Sequence, residues 1–515
     1  MVRRLFRGKG LHAPAAPVGA DAVLSVDGVI QWVGAFADAP SADERHDLDG
    51  VLLPGLIDSH AHLTGLGMAL RQVDLSASDS LEAALALLAG DEGGEWLLSR
   101  GWDHHRWGLG RYPDRRDLDR VTGARPASIT RVDGHCIWVN SEALRRAGIT
   151  AGTEDPPGGR ILRDDGGEPT GILIDEAMAL VRQRIPQADE QERRARTLAA
   201  QRQCHRWGLT GMHDCGSQLA TVSVWRQMEA AGELHLRVHS FLDGLSETEE
   251  AILAAGCSEG PFVKVHGVKL FADGALGSRG AWLLAPYCDA KDEQGIQIIH
   301  GEELKRRVRV YGDAGFQLAV HAIGDGAARD VVDAFSDYLA PGNDRRFRME
   351  HSQIVHPADQ ERMAAYGIYA PVQPIHATSD MPWAETMLGP ERIRYAYAWT
   401  DLIQRGVAVS LGSDFPVEDG CPLAGMHAAC TRQDHRGQPL GGWYPEQRLR
   451  PEDALLGYTQ WAARAGFDDA RFGRLEPGFA ADITVLDRSP LDVPIGDLAG
   501  LQAQGVVVAG AGMSD

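Results

Sequence analysis

Eight short apolar runs, each closing on polar or ionisable residues, recur along the middle of this chain and restrict what it can fold into. They are Val51–His60, Leu209–His213, Leu234–Leu242, Val263–Phe271, Phe316–His321, Phe347–His351, Ile368–Gln373 and Val407–Ser413. Between them, Glu302–Ala314, Gly326–Leu339 and Ala358–Tyr366 carry the polar–apolar mix of amphipathic helices. Strand alternating with helix argues for a parallel sheet, and eight such units predict an α/β chain closed as a (β/α)8 barrel. In that architecture chemistry gathers at the carboxyl ends of the strands, which is where these ionisable residues fall.

A barrel does not use all 515 residues. Near the start, AVLSVDGVIQWVG sets the turn residues Asp27 and Gly28 between two apolar runs, a hairpin signal. A hairpin alone buries too little to stand by itself. Strand-like segments at Gly473–Pro490 and Gly505–Gly510 offer it partners from the other end of the chain. Residues 1–50 and 473–515 are therefore expected to form one composite β-sandwich domain, with the barrel over 51–472. Between His62 and Leu209 the chain is far too long for one crossover helix. The reading there is an insertion over 64–206, placed after the first strand and roofing the barrel mouth. It contains a helix near Ser80–Leu88, the aromatic run Arg100–Trp107, a loop at Asp155–Gly159 and a charged helix near Gln191–Arg206.

Fifty-one basic against 72 acidic residues give a net charge of −21, which disfavours nucleic acid and anionic membranes as partners. Seven scattered cysteines fit a reducing compartment without a disulfide framework. The basic N-terminus lacks the apolar core of a signal peptide, and no run is apolar enough to span a bilayer. A cytoplasmic protein with a small-molecule substrate is expected, and a homodimer is compatible with that reading.

The first run ends in Asp58-Ser59-His60-Ala61-His62. Alternation along a strand points His60 and His62 the same way, a good start for a divalent metal site. Later strand ends add Lys269, His321, His351 and Asp414. Histidine and carboxylate are the ligands expected of a hydrolytic zinc site. An ammonium has only donors, so Lys269 could join them only as a carbamate, formed when carbon dioxide adds to the amine. The alternative is a lysine paired with Asp273 or Asp414. Each histidine alone is more easily read as a packed imidazole; the set together argues for one or two metal ions. His213, His239 and His266 are expected to pack, and His104 and His105 to be exposed. His135 and His376, in polar loops, are placed to reach a substrate.

PGLIDSHAHL, GVKLFADGALGSRGA, VHAIGDGA, EHSQIVHP, VQPIHATSDMPW and GSDFPVEDGCPL resemble the amidohydrolase superfamily. More narrowly they resemble its third family, the branch containing N-substituted formamide deformylases. DGHCIWVNSEAL and GRLEPGFAADITVLD match that branch too, so the resemblance runs from about residue 20 to 490. It implies a TIM barrel with a small β-sandwich and a centre of one or two divalent ions. His60, His62, His321, His351 and Asp414 match the superfamily's ligands, and Lys269 matches its bridging, carboxylated lysine.

The expected chemistry is hydrolysis of a non-peptide carbon–nitrogen bond, amide, N-formyl or N-acyl, by metal-activated water. Asp414 would take the water's proton and return it to the departing nitrogen. The matching motifs alone suggest that His135 or His376 assists at the oxyanion. The same site could serve an ester, lactone or carbamate hydrolase or a ring deaminase, and a catalytically silent barrel is the reading from another class. Trp102, Trp107, Trp138, Trp282, Tyr287, Met381 and Trp383 would suit an apolar substituent, or merely pack.

Overall fold

A computed structural model describes residues 1–513 apart from 92, 133, 135 and 157, with side chains through 511. The chain divides into two compact units, 1–66 with 197–515, and 67–196.

The larger unit is a (β/α)8 barrel with two further sheets. Its barrel strands, among the described residues, are β1 (Leu56–Ala61), β2 (Leu209–Ser217), β3 (Arg237–Asp243), β4 (Val263–Phe271), β5 (Gln317–Ala322), β6 (Arg348–His351), β7 (Ala370–Val372) and β8 (Val409–Leu411). Strands β1 to β6 pair in order, all parallel, and β7 pairs with β8. The ring closes through backbone hydrogen bonds outside the ladders. Tyr369 bridges to β6, its carbonyl accepting from Met349 N–H at 2.9 Å, and Asp414 N–H donates to the His60 carbonyl at 2.7 Å.

Outward residues such as Val238, Val265, Leu318 and Met349 pack on helices that contribute Trp225, Val308, Val331 and Met363, forming one continuous core. Inside the barrel Cys215, Phe241 and Ala319 make a small apolar plug. Gly267 makes room for it, because a Cβ there would lie 2.1 Å from the Phe241 ring.

The opening apolar run is two strands and not one. Val51–Pro54 ends at Pro54-Gly55 and pairs antiparallel with Ile483–Leu486, so the barrel begins only at Leu56. That segment belongs to a five-stranded sheet drawn from both chain ends, in the order Gly10–Leu11, Val51–Pro54, Ile483–Leu486, Ala503–Val508, Ala511–Met513. A four-stranded sheet holds the expected hairpin in the order Val29–Gly34, Ala22–Val26, Arg3–Arg7, Glu44–Asp47. Asp27 (φ 48°) and Gly28 (φ 84°) both take left-handed conformations, as a tight two-residue hairpin turn requires. Phe6, Val23, Ile30, Leu52, Ile483 and Val507 share one core across these two sheets.

The smaller unit, 67–196, is organised around a sheet that alternation in the sequence does not reveal. Its six strands run in the order Gly159–Arg163, Pro169–Asp175, Cys136–Val139, Ala127–Arg131, Leu97–Trp102, Val73–Asp74. Cys136–Val139 is buried on both faces: Trp138 joins Trp102, Trp107 and Leu118 on one side, and Ile137 and Val139 join Leu144 and Leu173 on the other. A strand buried on both faces reads as a plain apolar run, which hides its period. Trp102 and Trp138 have no exposed surface, so they pack this unit. His104, expected at the surface, is buried and stacked on Tyr112.

Candidate metal centre

At the carboxyl ends of the barrel strands, side chains from five elements converge on Asp414. His60 and His62 at the end of β1 reach its Oδ1 from Nε2, at 3.5 and 2.9 Å. His376, on the helix Pro374–Asp380 after β7, has its Nε2 3.7 Å from Oδ2. The His351 ring lies 4.6 Å from that of His60 and 4.5 Å from that of His321. Lys269, buried on β4, has its Nζ 3.3 Å from His60 Nε2. The structure thus brings His60, His62, Lys269, His321, His351, His376 and Asp414 into one cluster. His135 lies outside the described residues.

Backbone geometry makes this convergence possible. Strict alternation along β6 turns Arg348 and Glu350 inward and would turn His351 away. Instead His351 (φ 70°) and Ser352 (φ 44°) take left-handed conformations that swing the imidazole back to the centre. Asp414 does likewise at φ 63°. Non-glycine residues held there carry strain of about 1–3 kcal/mol each, and such strain clusters at working sites.

The surrounding groups set proton positions. His351 Nδ1 faces the Oε1 of Gln373 at 2.9 Å. An amide oxygen only accepts, so Nδ1 carries the proton and Nε2 is left with its lone pair. Gln353 donates from Nε2 to His376 Nδ1 at 3.1 Å, which places the His376 proton on Nε2. His60 Nδ1 meets Glu350 Oε2 at 2.5 Å. Asp58 braces the backbone from beneath: its Oδ1 accepts from the N–H groups of His60 (3.0 Å) and Ser413 (3.2 Å), and its Oδ2 from the Ser413 hydroxyl (2.6 Å).

Charge in the cluster is unevenly distributed. Burial, and then the Lys269 charge, push His60 down to about 4 and His321 to about 3. Burial and the neighbouring His321 hold His351 well below its usual range. Burial raises Asp414, but the His62 hydrogen bond and the nearby imidazoles outweigh it and keep the carboxyl well below the ordinary carboxylate range. Burial lowers His62, yet Asp414 pulls it upward overall. Burial lifts Asp273 to about 7 although it accepts from Trp282, Ile323 and Gly324 N–H groups at 2.8–3.0 Å. Asp273 is committed to these amides, so it does not pair with Lys269. Among the described residues no carboxylate forms an ion pair with Lys269.

This donor set fits a divalent ion. His60, His62 and Asp414 present ligand atoms within 4.8 Å of one another, and His376, with its proton on Nε2, borders them as a hydrogen-bond donor. His321 Nε2 is a buried ring nitrogen of this cluster without a hydrogen-bond partner, its nearest carboxylate oxygen being Asp273 Oδ1 at 3.4 Å. A buried ring nitrogen is rarely left so, and an ion would satisfy its lone pair.

Several contributors escape sequence reasoning. Glu350, Arg348, Gln353 and Gln373 flank named candidates, and only the alternation in Arg348-Met349-Glu350 hinted at a pair facing inward. Tyr287, offered as a substrate contact, is buried and donates to the Ala281 carbonyl at 2.7 Å.

A parallel barrel whose strand ends carry a ring of imidazoles, a buried lysine and an aspartate defines a class of barrel with a metal-type site. The chain belongs to the amidohydrolase family, which it matches over residues 47–512. It is 33% identical over 507 residues to YtcJ of Bacillus subtilis (strain 168), covering 95% of each chain. It is 29% identical over 524 residues to N-substituted formamide deformylase of Arthrobacter pascens, covering 95% of this chain and 94% of that one. The crystal structure of an uncharacterized metal-dependent hydrolase from Pyrococcus horikoshii OT3 superposes with a TM-score of 0.81 at 26% identity, covering 96% of this chain and 99% of the other.

Proposed function

We propose that this chain is a metal-dependent hydrolase of a non-peptide carbon–nitrogen bond in an amide, N-formyl or N-acyl compound. The observation that carries the reading is the cluster in which His60 and His62 meet one buried aspartate, Asp414, with Lys269 and His351 beside His60 and His321 beside His351. The similarity to an N-substituted formamide deformylase supports the bond type, and the similarity to a metal-dependent hydrolase supports the cofactor.

His60, His62, His321, His351 and Asp414 would hold the ion, zinc by the nature of the donors. Bound there, it acidifies water and polarises a carbonyl. Asp414 does the proton work. Its carboxyl is ionised at neutral pH, so it accepts a proton on an oxygen facing the centre and delivers it to the departing nitrogen. His376 presents an Nε2–H toward the same space and steadies charge developing on the carbonyl oxygen. His135 is assigned a similar role on its motif alone.

Lys269 is proposed to act as a carbamate. A bare ammonium with no carboxylate partner is costly to bury and repels cations. As a carbamate, Lys269 would reverse the sign of that charge and offer oxygens that could help to hold the metal.

The test is metal content and turnover together. Purified protein loaded with zinc is assayed against N-formyl, N-acyl and carbamoyl amides and against chromogenic esters. Zinc-dependent amide cleavage, lost on chelation and in His60→Ala or His62→Ala, is the expected result. Ester or lactone cleavage with no amide turnover overturns the bond assignment; unchanged metal content in both variants overturns the site.

A further inference from the structure

The barrel interior beneath the cluster holds an ion pair for which the proposed chemistry has no use. Arg348 and Glu350 lie two apart on β6, both fully buried and facing inward. Arg348 donates from Nε to Glu350 Oε1 at 2.7 Å and from Nη2 to Oε2 at 3.2 Å. Its Nη2 also donates to the Ser59 carbonyl at 2.6 Å, the peptide immediately before His60. Its Nη1 donates to His213 Nδ1 at 2.8 Å, and its guanidinium lies over the Phe241 ring at 4.6 Å. The second oxygen of Glu350 is occupied by His60 Nδ1 at 2.5 Å. β6 and β1 are not neighbours in the sheet, so this bond crosses the barrel interior.

Resting on the metal-site reading above, we infer that Glu350, clamped by Arg348, is a positioning residue that fixes which nitrogen of His60 faces the metal. Two possibilities compete for such a pair. A pair that only fills and stiffens the barrel is replaceable by apolar residues of similar volume, often at no loss of stability. A positioning pair is not, because no apolar side chain can accept the Nδ1 proton. The geometry favours positioning. The guanidinium has no acceptor and does not lose its proton, so it holds Glu350 as an anion and in one orientation. An anionic carboxylate can only accept, so it takes the proton on His60 Nδ1 and leaves Nε2, the nitrogen 3.5 Å from Asp414, with its lone pair. The Arg348 bond to the Ser59 carbonyl fixes the backbone that carries the ring. Ring and peptide are thus located by one side-chain pair. A carboxylate on the far nitrogen of a ligating imidazole also raises its basicity toward a metal.

Zinc affinity of the full-length protein, measured by competition with a chromophoric chelator, tests this alongside the melting temperature of the metal-free form. The informative variant is R348M/E350L, which replaces the pair with apolar groups. Zinc affinity weaker than wild type by about 10–100-fold, with an unchanged or raised metal-free melting temperature, is the expected result. Wild-type zinc affinity in that folded variant overturns the inference and makes the pair structural. Should R348M/E350L not fold, E350A decides by the same affinity measurement, because it removes the group that accepts the Nδ1 proton. A loss smaller than about threefold there overturns the inference as well. His60→Ala separates the two levels: if it binds zinc normally, the metal site itself is wrong; if only the Glu350 variants do, the site stands and the positioning role falls.

Discussion

Asp414 is the residue on which the cluster turns, touching three imidazoles while its carboxyl stays ionised. Asp414→Asn keeps the shape but accepts a proton poorly. Turnover should fall by about 10²–10⁴-fold, the usual worth of a general base, while circular dichroism stays native. Undiminished kcat would remove Asp414 from the proton path. Lys269→Ala should lower metal stoichiometry and activity together, with short-chain carboxylic acids partly restoring both. An active enzyme with full metal content in that variant would count against the carbamate. The ligand candidates were legible because strand alternation and strand ends announce them, and because their motifs match a family. The groups that aim them were not. Glu350 beside His351 looks like an ordinary acidic neighbour, and nothing in the letters Glu-His-Ser tells of two successive left-handed residues.

Elements show a similar division. The helices after β5 and β6 lie at Asp325–Tyr338 and Pro357–Tyr366, within a residue of where amphipathic spacing sets them. Within 67–196 the strand Cys136–Val139 is hidden because burial on both faces erases the two-residue period. Within the barrel, the close contact of β3 and β4 supplies a sharp check. Gly267→Ala drives a methyl into Phe241, so stability should fall by about 1–3 kcal/mol in urea unfolding. Gly267→Ala with Phe241→Leu should recover much of that. Equal instability of the single and double variants would mean that Phe241 is not what Gly267 accommodates.

At the scale of the molecule, the two chain ends are bound into one sheet beside the barrel. Ile483–Leu486 lies between Val51–Pro54 and Ala503–Val508, and Leu52, Ile483 and Val507 share a core. Residues 1–50 and 473–515 are proposed as one composite β-domain. Deleting 473–515 should strip that core from the N-terminal strands and give insoluble protein, read from the soluble fraction after expression. A monodisperse, active truncation would show that the barrel does not need it. No helix among the described residues is long and apolar enough to cross a membrane.

The same arrangement has a consequence for how the protein is made. Leu56 N–H donates to Thr484 Oγ1, a partner 428 residues later in the chain. At about 5–20 residues per second, a ribosome needs about 20–90 s to deliver that partner after Leu56 has emerged. Asp414 follows Leu56 by 358 residues, so for most of that interval His60 and His62 lack the aspartate they meet in the folded barrel. Metal capture in the native geometry therefore waits until Asp414 has been added to the chain. Until Ile483–Leu486 arrives, the edge of Val51–Pro54 that it covers is open to pairing with other chains.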